Sequence, residues 1–530
     1  MGHLVQSFSE HLRGIGQAIA SISSSIVDHV TLKRLRGNED SDEEDDDDDL
    51  DSLDIDPFDA VLERVKVKHV GKHVAAIRAK TQPGNKKNIP VVEVGAHKLH
   101  GENIYYVVKF ADGIKWMLKV PAGETPDQFG EDDAEAFRSE ALTMIMLRRE
   151  TTIPIPKVFA YDNTWTNKLK VPFILMEFID ARPLSDVWHD QESPEEVVQA
   201  RRTRCLQDIA AAYLQLGKYT FNENTPLRFD DQDRLIGVAP VKEYPFSGLK
   251  EAYVSHLDRR EGGEENDGFG RGLLKLLRMF ADWTPEPSDG KSFVLHHANP
   301  NIFNFLVSED GSVRAILDWH GAGPKLPSIG NEAYPLWLMR DWDPSVYRWS
   351  EEMEQGINDE DCYWEDSPDK LEFYRNVYAQ CIANLRPESE NAKITRNSPL
   401  FVHLMMATRG SMFILATSVK IVEEVIKRVE KDADDNSWPP SFSPSNDNNK
   451  DDDDSKNLSS TKDQDAAGDH NAPNETKANA EDDDIGADID GEDEDEPVIM
   501  YDLLERVDRD GLSEHQQKVL RTGFDALFVS

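Results

Sequence analysis

The sequence predicts an α+β protein with two lobes, a small β-rich lobe with one helix and a large, mainly helical lobe. Two observations support this prediction. Runs of β-branched and aromatic residues with strand-like periodicity are concentrated between residues 90 and 120. From 185 to 430 the apolar residues recur at helical spacing, apart from one β-rich patch at 293–318. We therefore place the small lobe at 57–175 and the large lobe at 180–430.

The elements of the small lobe follow in chain order. Residues 57–90 show a short helical pattern that ends at the turn signal Pro83-Gly84-Asn85. The next predicted elements are strands at 91–94, 104–110 and 114–120, a helix at about 132–149, and strands around 157–161 and 172–179. The turn Ala111-Asp112-Gly113 predicts a hairpin between the second and third strands.

The segments outside the two lobes differ in composition. Residues 1–36 repeat apolar residues every three or four positions, which predicts an amphipathic helix that docks on the protein or on a partner protein; binding to a membrane surface is the alternative. Segments 37–56 and 431–496 are acidic and poor in apolar residues, so we expect both to be disordered. Residues 497–530 regain apolar character, which predicts a C-terminal helical segment that returns to the core.

The charge of the chain excludes one class of function. The 530 residues carry 59 Lys and Arg against 101 Asp and Glu, a formal net charge of −42. Residues 37–60 contribute −14 and residues 431–500 contribute −18, so most of this charge lies in the acidic segments. A nucleic-acid partner is not expected, because phosphate binding requires a cationic face. The acidic segments are instead candidates for binding a partner protein.

Cysteine content and hydropathy indicate the cellular compartment in which the protein is expected. Three cysteines, Cys205, Cys362 and Cys381, are too few and too scattered for a disulfide framework or a zinc site. This pattern is typical of a reducing compartment. No apolar run reaches the roughly 18–20 residues that cross a bilayer, and we recognise no secretory signal. We therefore predict a cytoplasmic protein without a transmembrane segment, while the basic cluster Lys33-Arg34-Leu35-Arg36 leaves nuclear import open.

Two charged residues of the small lobe form a candidate pair. Lys119 lies in a predicted strand on the same face as Met117, and such a lysine is either an edge residue or a phosphate-binding group in a cleft. Glu140 lies near the apolar face of the predicted helix, between Phe137 and Met144. A carboxylate buried there needs a cation, because an unpaired buried charge is costly, and Lys119 is the natural partner. An exposed Glu140 at the edge of the apolar stripe is the alternative.

Three loops carry further polar candidates. The segment 95–103 contains Gly95 and Gly101, which either allow the backbone to approach a phosphate or form a plain β-turn. The β-rich patch contains a polar cluster made of His297, Asn299, Asn301 and Asn304. Asp318 ends an apolar strand shortly before Gly321, and is a candidate metal-binding carboxylate or the start of an Asx-turn.

With these candidate residues in this order along the sequence, the chain resembles the aminoglycoside phosphotransferase (APH) family, a branch of the protein-kinase-like fold. It is most similar to fungal members whose substrates are unassigned. The resemblance covers about residues 60–430. The stretches that carry it are Ser139-Glu140-Ala-Leu-Thr-Met, Ile153-Pro-Ile-Pro-Lys-Val-Phe-Ala-Tyr161, Phe173-Ile-Leu-Met-Glu-Phe178, His297-Ala-Asn-Pro-Asn-Ile-Phe-Asn304, Ile316-Leu-Asp-Trp319 and the segment 330–344.

The resemblance implies ATP and Mg²⁺ as cofactors and assigns roles to residues. Lys119 would bind the α- and β-phosphates and Glu140 would hold it by an ion pair, with Met117 lining the same nucleotide site. Gly101 would lie in the loop over the phosphates, although this loop matches the family poorly. The remaining assignments are a connector that hydrogen-bonds adenine through its backbone (Met176, Glu177 and Phe178) and two Mg²⁺ ligands (Asn304 and Asp318).

The chain departs from the family at the catalytic base. The family pattern is His-x-Asp-x-x-x-x-Asn, whereas this chain has Asn299 two residues after His297. An amide cannot act as a general base near neutral pH, although it can orient a hydroxyl. A second departure is His320, where the family usually has an acid. The resemblance therefore implies weak or lost phosphotransfer.

Three functions remain open at this stage. The first is an ATP- and Mg²⁺-binding protein whose role is interaction, with weak or lost activity. The second is an active phosphotransferase that uses a substitute base, with His297 and His320 the first candidates, on an unknown small-molecule or protein acceptor. The third is an acidic scaffold on which the nucleotide site is not used. Acidic stretches at 341–343 and 359–361 are candidates for meeting a cationic acceptor, or for a solvated surface.

Overall fold

The structure is a computed structural model, and it describes most of the two lobes and the C-terminal segment. The described residues are 57–81, 89–123, 125–239, 246, 248–260, 268–287, 292–358, 363–387, 391–410, 414–435, 498–509 and 511–528. The predictions for 1–36, 37–56 and 436–496 lie outside these residues.

The small lobe is built on one six-stranded sheet. Its elements are helices α1 (Pro57–Arg64) and α2 (Val67–Thr81), strands β1 (Val91–Val94), β2 (Lys98–His100), β3 (Asn103–Phe110) and β4 (Lys115–Pro121), helix α3 (Glu131–Glu150), and strands β5 (Val158–Asp162) and β6 (Phe173–Glu177). The strand order is β1-β3-β4-β6-β5, with β2 paired to β3. The predicted turn Ala111-Asp112-Gly113 joins β3 to β4, since the amide of Phe110 donates to the carbonyl of Ile114 at 2.8 Å.

The large lobe is mainly helical and contains short strands. Its helices are α4 (Leu184–Trp188), α5 (Glu195–Leu214), α6 (Leu249–Arg260), α7 (Gly268–Trp283), α8 (Glu351–Glu354), α9 (Pro368–Leu385), α10 (Asn391–Arg409), α11 (Ile414–Asp435), α12 (Val498–Arg509) and α13 (Glu514–Asp525). Its strands are β7 (Arg182–Pro183), β8 (Thr220–Phe221), β9 (Leu227–Phe229), β10 (Leu235–Val238), β11 (Phe293–His296), β12 (Phe305–Val307), β13 (Val313–Ile316) and β14 (Gly323–Lys325). The predicted α+β, two-lobed architecture is confirmed.

Strand alternation in β4 decides which side chains reach the site. Trp116, Leu118 and Val120 are buried on one face, in the core of the small lobe. Met117 and Lys119 lie on the other face, because successive side chains of a strand point to opposite sides. Met117 packs against the larger core, which includes most of the apolar face of α3.

The structure corrects the predicted elements at four places. The described part of the small lobe contains three helices, α1 to α3, whereas one was predicted. Strands β8 to β10, at 220–238, interrupt a region predicted to be helical. Helix α11 continues to Asp435, past the predicted boundary at 431. The C-terminal segment forms two helices, α12 and α13, rather than one, and it does return to the core, since Leu504 and Phe524 are fully buried there.

Among the described helices, none combines the length and the apolar character needed to cross a membrane.

Candidate functional site

A buried lysine with two carboxylate partners lies where the two lobes meet. The Nζ atom of Lys119 donates to Oε1 and Oε2 of Glu140 at 2.7 and 2.9 Å. The same Nζ donates to Oδ1 of Asp318 at 3.2 Å. Lys119 and Glu140 are 1% and 2% exposed, whereas the side chain of Asp318 is 25% exposed. The predicted Lys119–Glu140 pair is present. Asp318, which was predicted as a metal ligand, also contacts Lys119, although it lies 199 residues later in the chain.

The charges of this group explain how a lysine remains ionised in the interior. Burial alone disfavours its charged form, but Glu140, with Tyr105 and Asp318, outweighs burial and raises the pKa of Lys119 above its ordinary value. Tyr105 lies opposite Lys119 in the β3–β4 ladder. Burial is the main cause that raises the pKa of the Tyr105 hydroxyl to about 12. The positive charge of Lys119 opposes this shift, whereas the carboxylates of Glu140 and Asp318 reinforce it. One cation and two carboxylates leave the group with one net negative charge.

Asn304 and Asp318 are brought together by their backbones. The amide of Leu317 donates to the carbonyl of Asn304 at 2.8 Å, so the two loops run side by side. Asp318 has a φ of 58°, in the left-handed region that few non-glycine residues adopt. Such conformations cluster at functional sites, where the surrounding structure maintains them. Within the described residues, the second oxygen of Asp318 and the side-chain oxygen of Asn304 have no hydrogen-bond partner.

The loop that holds Asn299 is maintained by its own polar side chains. The side-chain Nδ2 of Asn301 donates to Oδ1 of Asn299 at 2.9 Å, and Nδ2 of Asn304 donates to the backbone carbonyl of Asn299 at 2.9 Å. His297 is fully buried, and its Nε2 lies 2.7 Å from the carbonyl of Leu317. The backbone amide of Asn299 donates to Nδ1 of His297 at 3.2 Å.

These contacts change the expected role of His297. Since Nδ1 accepts from an amide, Nε2 must carry the proton that bonds the carbonyl of Leu317, and the ring is neutral. Burial lowers the pKa of His297, which the bond to Leu317 only partly opposes. His297 therefore has no free lone pair with which to accept a proton. It orients the loop and is not available as a base.

The connector between the lobes begins later than predicted. Met176 and Glu177 belong to strand β6, and the amide of Glu177 already donates to the carbonyl of Lys157 at 2.8 Å. Phe178 follows the strand, and its backbone makes no hydrogen bond with any other described residue. Of the three predicted connector residues, only Phe178 thus retains a backbone donor for a ligand.

The glycine loop is a tight hairpin. Strand β2 pairs with β3, so that His100 faces Asn103 across a turn in which Gly101 has a φ of 54°. This conformation explains the glycine, and it favours the β-turn interpretation that the sequence left open. Among the residues that the structure describes, no atom lies within 4 Å of the position that a Cβ of Gly101 would occupy.

The acidic stretch at 341–343 is engaged internally. Asp341 accepts from both terminal nitrogens of Arg375 at 2.7 and 3.0 Å, and Asp343 is buried and accepts from the amide and hydroxyl of Ser345. Neither carboxylate is free to meet a cationic acceptor, so that prediction is wrong for 341–343. The stretch at 359–361 lies outside the described residues.

Two residues beside the buried lysine were not assigned to the site from sequence. Tyr105 reaches it through the register of β3 on β4, which a single-strand pattern does not specify. His320 was noted as a departure from the family and as a candidate substitute base, and its Nδ1 lies 3.8 Å from Oε2 of Glu140 while 55% of its side chain is exposed. The alternation of side chains along β3 tells only which residues share a face with Tyr105. Which residue lies opposite Tyr105 depends on how β3 pairs with β4.

Comparison with known proteins gives a consistent family. Residues 101–329 match the phosphotransferase enzyme family, APH. Altered inheritance of mitochondria protein 9, mitochondrial, from Debaryomyces hansenii is 29% identical over 163 residues, which are 31% of this chain and 24% of that protein. The namesake from Candida albicans is 27% identical over 187 residues, which are 35% of this chain and 29% of that protein. The matched part of this chain thus spans about a quarter of the length of these relatives.

Two solved structures illustrate the similarity in fold. A candidate aminoglycoside phosphotransferase from Ralstonia eutropha aligns with a TM-score of 0.40 and 16% identity, over 67% of this chain and 89% of that one. An amicoumacin kinase in complex with AMP-PNP and Ca²⁺ aligns with a TM-score of 0.37 and 12% identity, over 66% of this chain and 87% of that one. The resemblance seen in the sequence is confirmed by the family match, since residues 101–329 of this chain are similar to the phosphotransferase enzyme family, APH.

Proposed function

We propose that this chain binds ATP with Mg²⁺ between its lobes, and that it transfers phosphate to a hydroxyl weakly or not at all. The observation that carries the proposal is the buried ammonium of Lys119, bonded to Glu140 at 2.7 Å and to Asp318 at 3.2 Å. A buried cation held by two carboxylates is not needed for stability alone, since apolar residues would serve as well. The partial exposure of Asp318 leaves this group open to a ligand.

The residues present fit a divalent cation. The group of Lys119, Glu140 and Asp318 has a net negative charge, and Asp318 and Asn304 each present an oxygen with no partner among the described residues. Mg²⁺ prefers such hard oxygen ligands and is usually held by one or two of them together with substrate phosphates. When bound, the ion would neutralise charge on the transferred phosphoryl group. Lys119 would hold the phosphates, and Glu140 would keep Lys119 in position.

Asn299 supports the proposal of weak activity. Its side-chain oxygen accepts from Asn301 at 2.9 Å, so it is oriented but has no basicity. General-base assistance is worth about 10²–10⁴-fold in rate. Phosphoryl transfer through a loose transition state depends mostly on positioning and charge, so loss of the base reduces the rate without abolishing it.

An active phosphotransferase with a substitute base is the second candidate. The observation that favours it is His320, an exposed imidazole beside Glu140 at 3.8 Å. His297, the other histidine near the loop, is excluded because both of its ring nitrogens are engaged. The acceptor would be an unknown small molecule or protein. A protein partner that binds the N-terminal segment or the acidic segments remains a prediction for residues outside the described part.

Titration calorimetry of the full chain with ATP and Mg²⁺ tests the proposal. We expect binding to wild type, and Lys119→Ala should weaken it at least about tenfold, because one charge-assisted phosphate contact is worth about 1.5–3 kcal/mol. Lys109→Ala is the matched control, since Lys109 lies in the same sheet with 46% of its side chain exposed. Asp318→Asn provides a second test that leaves the buried pair intact, and it should remove the dependence on Mg²⁺. Equal affinity in wild type and Lys119→Ala would exclude Lys119 from the site.

A further inference from the structure

A hairpin of the large lobe lies against the helix that carries Glu140. Strands β9 and β10 pair with each other and are joined by the tip 230–234. Leu227 and Phe229 of β9 are buried in the larger core, and β9 contacts α3 of the small lobe. The hairpin therefore connects the body of the large lobe to α3.

Arg138 is the contact between the helix and the hairpin tip. Its Nη2 donates to the carbonyl of Asp230 at 2.8 Å and to Oδ1 of Asp233 at 3.0 Å. The hydroxyl of Tyr161, in edge strand β5, donates to the same Oδ1 at 3.2 Å. Three elements thus meet at the Asp233 carboxylate. The side chain of Arg138 is 18% exposed and that of Asp233 is 53% exposed, so the bond to the Asp230 carbonyl is partly buried whereas the ion pair lies at the surface.

The tip is shaped in advance for this contact. The Asp230 carboxylate accepts from the amides of Gln232 and Arg234, both at 2.9 Å. The amide of Asp233 donates to the carbonyl of Asp230 at 3.0 Å, and Asp233 has a φ of 59°. A turn that is closed by its own bonds loses little entropy when it holds Arg138.

The position of Arg138 on the helix explains what the contact does. Arg138 lies two residues before Glu140, and residues with this spacing point to nearly opposite sides of a helix. Glu140 bonds Lys119 on one side of α3, while Arg138 bonds the hairpin on the other. Helix α3 is therefore held from both sides, so that its position between Lys119 and the hairpin is fixed by bonds at both faces.

We propose that the hairpin tip is a positioning element for the nucleotide site, in which Asp233 holds Arg138 and, through α3, keeps Glu140 in contact with Lys119. This inference rests on the proposed function, because it concerns the pair that would hold the phosphates. Arg138, Asp233 and Tyr161 are positioning residues, since none of them contacts Lys119. It follows that an event that displaces the hairpin tip weakens the nucleotide site from a distance.

Two measurements on the full chain test the proposal. The variants are Asp233→Ala and Arg138→Ala, with Arg138→Lys as the conservative change. The matched control is Asp231→Asn, since Asp231 is an exposed acid of the same tip that makes no hydrogen bond or ion pair among the described residues. Hydrogen exchange of the α3 amides should become faster in Asp233→Ala and Arg138→Ala, and stay unchanged in Asp231→Asn. ATP affinity in the presence of Mg²⁺ should fall about 2- to 10-fold in the first two variants and less in Arg138→Lys.

A double-mutant cycle separates positioning from a general loss of stability. If the hairpin acts through Glu140, then Asp233→Ala should have no further effect on ATP affinity in a Glu140→Gln background. Additive effects of the two changes would overturn the proposal, as would unchanged exchange of the α3 amides in Asp233→Ala. A wild-type chain that fails to bind ATP would contradict the proposed function, and the exchange of α3 would still decide whether the hairpin holds the helix.

Discussion

At the scale of single residues, the proposed function depends most on Asn299. Its side-chain oxygen accepts from Asn301, and its carbonyl accepts from Asn304. An aspartate has the same shape and can accept the same bond from Asn301. The loop can therefore carry an aspartate without rearrangement, so that the missing base of the proposed function is a property of one side chain rather than of the loop.

Asn299→Asp should raise the rate of ATP hydrolysis by about 10²–10⁴-fold, the usual value of a general base. Hydrolysis to ADP is the appropriate measurement, because water replaces the unknown acceptor. The double variant Asn299→Asp with Asp318→Ala should lose the gain along with a metal ligand. If wild type already hydrolyses ATP readily and Asn299→Asp changes nothing, another group acts as the base, and His320→Ala is the next variant to measure.

At the scale of elements, the crossing of α7 and α12 depends on one glycine. A Cβ placed on Gly272 would lie 2.1 Å from the carbonyl oxygen and 2.7 Å from the carbonyl carbon of Leu504. Both obstacles are backbone atoms, so they cannot move without shifting a helix. Asp508, at the end of α12, binds Arg271 and Lys275 at 2.8 Å and reinforces the same crossing.

Gly272→Ala should lower the free energy of unfolding by about 1–3 kcal/mol, the cost of overpacking a close contact. Gly268→Ala is the matched control on the same helix, because its added Cβ would meet Asp508 at an ordinary 3.6 Å. Urea unfolding of both variants provides the comparison. Equal stability of the two variants would mean that α12 does not pack on α7 at this distance.

At the scale of the whole molecule, buried histidines make stability depend on pH. Burial is the main cause that lowers the pKa of six of the described histidines, two of them half-buried (His73 and His189) and four buried (His256, His296, His297 and His403). The values for His189 and His256 fall to about 4. These groups are neutral in the folded chain, whereas the unfolded chain takes up their protons below about pH 6.5. The contribution of these histidines to the free energy of unfolding is thus fully present above about pH 6.5, and it is lost as the pH falls toward 4.

The free energy of unfolding should therefore decrease between pH 7 and pH 5, with about 1–2 kcal/mol from each of His189 and His256. The variant His256→Asn should show a smaller decrease over this interval than wild type, whatever its stability at pH 7. The exposed His100 is the control, and His100→Asn should keep the wild-type pH dependence. A His256→Asn variant with an unchanged pH dependence would contradict the burial of this ring.

Much of the site was predictable from the sequence because it rests on local rules. Alternation in β4 places Lys119 away from the small-lobe core, and helical spacing places Glu140 on a buried face. The cost of an unpaired buried charge then requires that the two meet, which they do at 2.7 Å. The absence of a base at Asn299 is likewise visible in a single position.

Contacts between distant parts of the chain were decided only by the tertiary structure. Strand register brings Tyr105 opposite Lys119, backbone pairing aligns Asn304 with Asp318, and packing of the hairpin brings Asp233 to Arg138. The sequence determined by itself which residues must be buried and which charges need partners, because periodicity and desolvation act locally. Which partner each buried charge contacts was decided only by the tertiary structure, since strand register and packing depend on residues far apart in the chain.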